Sequence, residues 1–385
     1  MKVIPARLRP LQARFAAVAR EVLMPHAATV DREARWPEAG FAALADAGLM
    51  GLHVPKRLGG LEEGFSALVM ATETLAQACA SSALCYGMHC VGSAVIAAKA
   101  TRDQEERYLA LIAQGRHITT LALSEPGHGS HAYLADTELR QDGLDYRVCG
   151  IKQFVTNGSY ADSYVVSTKA SEPNEQGEFS CVLVDGSAAG LSWLAPWEGM
   201  GLRGNSSRGM RLDNVPVPRA NRLGDEGDEV WYFFQIIAPY FLIAMAGIYN
   251  GIAQAALANA LTHVRERTFS HSGESLARAD MIQDKVGALW RRAQQARLLA
   301  YHAAELADAN DPDALQAILA SKVSAGEMAV EVATEAMALC GGTAYGENAV
   351  QARLLRDAHA APVMSPTAAL LRLWAGRLLL GIPIL

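Results

Sequence analysis

The sequence predicts an α+β protein in which a β-domain lies between two helical domains. Three observations favour this order. Residues 1–118 carry apolar side chains at helical spacing, with arginines on the opposite face of segment 6–27. Residues 119–225 contain short β-rich runs separated by Gly, Asp, Asn and Pro turns. Residues 226–385 return to alanine-rich helical patterns, which predict a C-terminal domain resembling a four-helix bundle.

The N-terminal block predicts four main helices. Segments 6–27 and 41–47 are amphipathic, and longer helices are expected at 65–79 and 82–99. A turn rich in glycine at residues 56–60 separates the two pairs.

The central block predicts a mostly antiparallel β-domain of about a hundred residues, because its strands are short and joined by tight turns. The expected strands lie at 117–125, 146–158, 163–170, 179–186 and 209–218.

The C-terminal block contains one stretch, residues 230–261, that has no charged residue and is long enough to span a bilayer. Gln235, Pro239, Asn250 and Gln254 interrupt it. We therefore predict a pair of helices buried on all sides, at a subunit interface, rather than a membrane span. A further helix–helix turn is expected at residues 310–312.

Composition excludes several classes of function. The 385 residues have a formal net charge of −6 and form no basic stripe, which argues against a nucleic-acid partner. The six cysteines form neither a CxxC pair nor a zinc-ligand spacing, so no metal site is predicted. Arginines interrupt the N-terminal segment, so no signal peptide is expected, and the predicted location is the cytoplasm.

Two segments of the β-domain carry the pattern of a binding site. Residues 121–130 read LALSEPGHGS, a turn whose glycines expose backbone N–H groups to an anion or an electron-rich ring. Residues 150–158 read GIKQFVTNG and place an aromatic ring and a hydroxyl at the end of a strand.

Together these segments resemble the acyl-CoA dehydrogenase family, whose β-domain carries a (T/S)EPxxGS loop and a GxKxW(I/V)TNG strand. Three further segments resemble the family in the same order. Residues 199–218 end in VPVP, residues 340–345 read CGGTAY, and residues 354–372 resemble the family's RDA…GT…R helix pair. The resemblance covers essentially the whole chain and implies the acyl-CoA dehydrogenase fold.

The resemblance implies FAD as the cofactor. Loop and strand positions then correspond to family residues around the flavin ring, the flavin phosphates or the substrate arm. These positions are Leu121, Leu123, Ser124, Gly129, Ser130, Phe154 and Thr156. Phe154 replaces the commoner tryptophan but keeps an aromatic face.

The same resemblance places a second set of FAD contacts in the C-terminal domain, where family members reach the cofactor of a neighbouring subunit. These positions are Arg267, Phe269, Gly341, Gly342 and Thr367. They imply a homo-oligomer, either a dimer or a tetramer. Two family glutamines on this path fall on Asp280 and Ala338, which implies altered contacts at the adenosine end.

The family's catalytic glutamate is missing. Family members supply a carboxylate that removes the α-proton of a thioester, from one of two positions. In this chain the two positions hold Ser365 and Phe241, and Leu242 replaces an arginine that usually contacts CoA. Neither serine nor phenylalanine acts as a carboxylate base.

Three histidines are candidates to replace the missing base. His89 lies on a helix that lines the acyl cavity in the family, and an imidazole titrates near neutrality. His89 is therefore the predicted catalytic residue, against the simpler interpretation that it packs in the core. His128 and His131 lie in the glycine loop, where a surface position is the simpler interpretation.

Three functions remain open at this point. The first is a dehydrogenase that acts on the CH–CH group of an acyl thioester, bound to CoA or to a carrier protein, with an unusual base and an unidentified electron acceptor. The second is a flavin-dependent monooxygenase, which needs no α-proton base. The third is a homologue that keeps the fold without the chemistry.

Overall fold

The computed structural model describes residues 3–174 and 177–384. The N-terminal helices are α1 Arg9–Val18, α2 Met24–Arg32, α3 Glu38–Asp46, α4 Phe65–Ala76, α5 Ala80–Ala98, α6 Arg102–Gln104 and α7 Ala110–Ala113. The strands are β1 Thr119–Ala122, β2 Glu138–Asp142, β3 Asp145–Val155, β4 Ser163–Asn174, β5 Gly177–Asp185, β6 Leu191–Trp193, β7 Arg208–Val217 and β8 Arg222–Leu223. The C-terminal helices are α8 Glu229–Tyr232, α9 Ala238–Glu266, α10 Asp280–Asp308, α11 Ala314–Cys340, α12 Val350–Ala358 and α13 Ala368–Leu379.

The first predicted helix extends further than its pattern indicated. A π-helical turn at Ala19–Leu23 joins α1 to α2, so the helical run ends at Arg32. Pro25 closely follows this π-helical turn and does not end the helical run. Helix α5 is apolar on all sides and is buried from Ala80 to Ile96.

The β-domain consists of two four-stranded sheets, in the orders β1-β4-β5-β8 and β2-β3-β7-β6. All pairings are antiparallel except β1 with β4, which run parallel. The inner faces share an apolar core that includes Tyr146, Val148, Tyr164 and Val182. The alternation of buried and exposed residues along β7 fits a strand with one face on this core.

The charge-free segment forms one continuous helical run, Glu229–Glu266, and not the predicted pair of helices. A π-helical turn at Phe233–Ile237 precedes Pro239, and the helical run continues through this proline into α9. By length and composition this run and α5 are each able to cross a membrane, but 83% and 94% of their most apolar windows are buried inside the protein. The prediction of a buried segment is confirmed, and burial in the core accounts for the apolar composition.

Close helix packing explains that burial. A side chain at Gly247 would meet Thr72 Oγ1 at 2.1 Å, and one at Gly251 would meet the carbonyl oxygen of Glu73 at 2.5 Å. Glycines at these positions therefore allow the backbones of α4 and α9 to approach. Helix α11 packs against α9, α10, α12 and α13 and completes the C-terminal bundle.

Buried polar contacts fix the domains relative to one another. The carboxylate of Glu73 on α4 accepts hydrogen bonds from Arg297 Nε at 2.5 Å and Tyr301 Oη at 2.5 Å, both on α10. Asn157 accepts from Trp36 Nε1 at 2.9 Å and donates to the carbonyl oxygen of Cys85 at 2.9 Å. The turn after β3 is therefore anchored to the N-terminal domain, through the α2–α3 connection and α5, beside the cavity described below.

Candidate active site

A cavity of about 590 Å³ lies where the three domains meet. This volume is typical of a small-molecule or cofactor site. Its lining residues are Leu84, Met88, Leu121, Leu123, Ser124, Glu125, Gly127, Gly129, Ser130, Ala132, Gln153, Phe154, Thr156, Trp197, Gly201, Leu202, Asn205, Ser207, Phe233, Ile237, Ala238, Phe241, Ala360, Val363, Met364, Ser365 and Pro366. Helices, strands and connecting loops all contribute to one site.

A buried ion pair shapes the loop after β1. The carboxylate of Glu125 accepts from Lys152 Nζ at 2.6 Å and from Thr137 Oγ1 at 2.6 Å. Lys152 Nζ also donates to the carbonyl oxygens of Leu123 and Ser167. Burial favours a higher pKa for Glu125, but the charge of Lys152 and these hydrogen bonds outweigh it and hold the pKa below its usual range.

Phe154 projects from the sheet into the mouth of the cavity. A register shift between Lys152 and Val155 interrupts the β3–β7 pairing, and Phe154 has a positive φ of 55°. Its side chain is 62% exposed, and the Trp197 ring lies 6.3 Å away in an edge arrangement. An exposed aromatic ring held by an irregular backbone is suited to stacking on a planar ligand.

The predicted flavin residues of the β-domain come together in this cavity. All seven of them line it: Leu121, Leu123, Ser124, Gly129, Ser130, Phe154 and Thr156. Thr156 Oγ1 lies 3.0 Å from Ser207 Oγ, and Gly129 has a positive φ of 57° that leaves its backbone open. The stacking ring, the hydroxyls and the open loop fit a flavin ring and its phosphate arm.

The second predicted set does not line this cavity. Arg267, Phe269, Gly341 and Gly342 are exposed on the C-terminal domain, at the ends of α9 and α11. Thr367 caps α13, where its hydroxyl accepts a hydrogen bond from the N–H of Leu370 at 3.4 Å.

Phe241 and Ser365, the two residues at which a carboxylate base was expected, both lie in the cavity wall. Ser365 Oγ donates to the carbonyl oxygen of Ser130 at 3.2 Å and thereby links the α12–α13 connection to the loop after β1. Leu242 is fully buried in the core and lies outside the cavity lining.

The structure argues against His89 as the catalytic base. Its Nε2 lies 3.0 Å from the carbonyl oxygen of Met50, and its Nδ1 accepts from the N–H of Thr119 at 3.2 Å. Burial lowers the pKa of His89 to about 4, and the residue is absent from the cavity lining. The imidazole is a neutral core group that ties α5 to β1.

The two loop histidines also lie outside the cavity lining. His128 Nε2 is 3.0 Å from Asp136 Oδ2, and His131 Nδ1 is 2.8 Å from Tyr133 Oη. Glu125, His128 and Asp136 lie close enough to hold a cation. Their carboxylates, however, already pair with Lys152 and Lys169, so the cluster needs no metal ion to balance its charge.

Among the cavity-lining residues of the described chain, Glu125 is the only one with an acidic, basic, thiol or phenol side chain. Since Lys152 and Thr137 occupy this carboxylate, the wall offers a ligand apolar groups, hydroxyls and amides. The arrangement can bind and orient a ligand and exclude water from it.

The structure adds two sets of lining residues that were not predicted. Phe233 and Ile237 precede Phe241 at four-residue spacing, so one helical face carries all three, and the periodicity of segment 230–241 contained that signal. Leu202 and Trp197 come from an irregular connection, for which no periodic signal exists.

An ion pair from the α12 motif holds this connection in place. Arg356 donates to Asp31 Oδ1 at 2.8 Å and to the carbonyl oxygen of Met200 at 3.0 Å. Asp357 accepts from the N–H of Leu202 at 2.6 Å. Leu202 is buried with a positive φ of 49°, so these contacts stabilise a conformation that leucine rarely adopts.

Comparison with known proteins covers all three domains. The acyl-CoA dehydrogenase N-terminal domain matches residues 6–116, the middle domain residues 120–215 and the C-terminal domain residues 242–379. Cyclohexane-1-carbonyl-CoA dehydrogenase from Geobacter metallireducens is 34% identical, over 88% of this chain and 88% of that protein. The mitochondrial short-chain specific acyl-CoA dehydrogenase of Bos taurus is 31% identical, over 94% and 87%.

Among solved structures, butyryl-CoA dehydrogenase from Megasphaera elsdenii has the same fold. The TM-score is 0.92, with 24% identity and 98% of each chain covered. The predicted fold is therefore confirmed, with its helical, β and helical domains in order. The chain belongs to the acyl-CoA dehydrogenase family of flavin oxidoreductases.

Proposed function

We propose that this protein oxidises an acyl thioester at its CH–CH group, with FAD as the cofactor and without a carboxylate base from its own chain. One observation carries the proposal: Phe241 and Ser365 occupy the two wall positions at which a base is expected, while Lys152 neutralises Glu125. Relatives above 30% identity are named as dehydrogenases of acyl-CoA compounds, which supports the thioester. The acyl group is carried by CoA or by a carrier protein.

FAD, when bound, supplies an acceptor for the β-hydrogen and its electron pair. Phe154 would stack on the flavin, and the loop from Leu121 to Ser130 would surround its polar edge and its phosphate arm. Arg267, Gly341 and Gly342 are exposed and would reach the cofactor of a second copy, in a dimer or tetramer.

The wall residues then define what the protein does to the substrate. Met88, Ile237 and Phe241 provide an apolar surface that excludes water from the acyl group. The α-proton leaves to a basic group of the substrate itself or to solvent beyond the mouth of the cavity, while the β-hydrogen leaves as hydride. Because a positioned general base contributes roughly 10²–10⁴-fold to rate, thioesters with an acidic α-C–H are the expected substrates.

A second candidate function is oxygen transfer by reduced flavin. The apolar ring of Phe241 in place of a base favours it, because such a reaction requires no α-proton abstraction and needs an apolar, water-poor cavity. The dehydrogenase names of the relatives favour the first candidate.

Anaerobic titration of the FAD-loaded protein separates the candidates. Cyclohexane-1-carbonyl-CoA and a short-chain acyl-CoA are added in turn, together with a 2-arylpropionyl-CoA, which has a more acidic α-proton and still carries hydrogens on its β-carbon. Bleaching of the oxidised flavin spectrum, fastest with the 2-arylpropionyl thioester, is the expected result.

If no thioester bleaches the flavin, the proposed oxidation is wrong. Incorporation of ¹⁸O from ¹⁸O₂ into product, with chemically reduced flavin, would then identify the oxygen-transfer reaction. Failure to bind FAD at all would contradict both candidates and leave a homologue without the chemistry.

A further inference from the structure

Lys322 on α11 is buried, with only 1% of its surface exposed. Its Nζ donates to the carbonyl oxygens of Ala361 at 3.4 Å, Met364 at 3.1 Å and Pro366 at 3.0 Å. All three acceptors belong to the connection between α12 and α13, residues 359–367. The ammonium therefore binds a turn of backbone, and no side chain shares its contacts.

The charge of Lys322 has no carboxylate partner within ion-pair distance in the described chain. Burial lowers the pKa of Lys322 to about 8. Tyr249 on α9 packs against the same region through Met364, and burial raises its pKa, so it does not titrate in this range. Carbonyl dipoles alone stabilise the buried cation, which makes the turn geometry sensitive to it.

The turn that Lys322 holds is a wall of the cavity. Five of its residues line the site: Ala360, Val363, Met364, Ser365 and Pro366. Two of the carbonyls bound by Lys322 immediately flank Ser365. Gly326, one helical turn beyond Lys322, lets this connection approach α11, since a side chain there would meet Ala361 Cβ at 3.0 Å.

We propose that Lys322 is a positioning residue for the reaction. It fixes the wall of residues 360–366, and with it the Ser365–Ser130 contact, at the distance from the flavin loop that a bound thioester requires. The proposal rests on the proposed function only in that a thioester occupies this cavity. The position of the wall itself is testable without any ligand.

The first experiment measures directly how accessible the wall is at position 365. Ser365→Cys introduces a thiol at the wall, and its rate of reaction with a thiol probe is compared in the Lys322, Lys322→Arg and Lys322→Met backgrounds. Cys149, the only native cysteine not buried, supplies the internal reference. We expect at least a fivefold faster reaction with Lys322→Met, and an intermediate rate with Lys322→Arg.

The second experiment measures ligand binding. The dissociation constants of FAD and of butyryl-CoA are measured at pH 7 and pH 9.5 by flavin fluorescence and by perturbation of the flavin spectrum. Lys322→Met should weaken butyryl-CoA binding about tenfold at pH 7, while FAD binding changes less than twofold. Binding to the natural chain should weaken at pH 9.5, and this pH effect should be absent in Lys322→Met. Lys56→Met removes an exposed lysine and serves as the control.

Equal reactivity of the Ser365→Cys thiol with Lys322 present and with Lys322→Met would overturn the proposal, provided that circular dichroism shows both proteins to be folded. An identical pH response of thioester binding in both proteins would overturn it as well. If butyryl-CoA binds neither protein, the proposed function fails, and the thiol measurement still decides the role of Lys322. If Lys322→Met does not fold, the comparison is made with Lys322→Arg and Lys322→Gln.

Discussion

Restoring a carboxylate at the wall should restore proton abstraction. Ser365→Glu places a carboxylate at one of the two positions where the family resemblance leads us to expect a base, on the segment that lines the cavity. The change removes the hydrogen bond from Ser365 Oγ to the carbonyl oxygen of Ser130, which costs about 1 kcal/mol. The closely packed wall must then accommodate the longer side chain.

The expected gain is larger than this cost. A positioned general base contributes roughly 10²–10⁴-fold, which corresponds to about 3–5 kcal/mol of transition-state stabilisation. Stopped-flow measurement of anaerobic flavin reduction by butyryl-CoA gives the rate directly. The rate of Ser365→Glu should also rise with pH as the introduced carboxyl ionises.

Ser365→Gln is the matched control, because it has the same size and hydrogen-bonding reach but cannot accept a proton at neutral pH. It should reduce flavin at the rate of the natural chain. Equal rates for the Glu and Gln variants would refute the reasoning that the wall lacks only a base. Phe241→Glu with Phe241→Gln repeats the comparison at the second position.

Three further predictions concern binding and stability. Phe154→Ala should weaken FAD binding by about 1 kcal/mol, or roughly fivefold, measured by flavin fluorescence, whereas Phe154→Trp keeps the stacking face and should bind normally. Glu73→Gln breaks the buried contact with Arg297 and should lower the free energy of unfolding by about 3–5 kcal/mol in a denaturant titration; an unchanged midpoint would contradict this. Glu229 is buried without a hydrogen-bond partner for either oxygen, and burial raises its pKa to about 8. A raised pKa in the folded state means that stability is lost as the pH rises from about 4.5 to 8, so Glu229→Gln should match the natural chain at pH 4 and exceed its unfolding free energy by about 3 kcal/mol at pH 7. A difference that does not grow with pH would contradict this assignment.

The fold and the β-domain side of the cavity could be predicted from the sequence, because both depend on local patterns. Strand runs, turn residues and the loop from Leu121 to Ser130 are local, and all seven predicted β-domain positions line the cavity. The two residues at which a base was expected, Phe241 and Ser365, also line the cavity.

The error at His89 has a simple geometric cause. On a helix buried on all sides, no polar face indicates which residues point into a cavity. Leu84 and Met88, four residues apart, line the site, and His89 is rotated by about 100° from Met88 around the helix axis. Its ring therefore meets Met50 and Thr119.

Long-range contacts account for the other omissions. Lys322 lies in an apolar helix, and its three acceptors are about 40 residues away in a turn with no regular pattern.

Pro239 suggested a break between two helices, but the π-helical turn before it allows the helical run to continue.

Exchange of the thioester α-hydrogen with solvent tests the central claim most directly. The FAD-loaded protein is incubated with butyryl-CoA in D₂O under anaerobic conditions, and deuterium at the α-carbon is followed by NMR. With Phe241 and Ser365 in the wall, the natural chain should give no exchange above that of buffer with free FAD, while Ser365→Glu should exchange the α-hydrogen. Saturable exchange by the natural chain would show that a proton acceptor faces the substrate and would contradict this account.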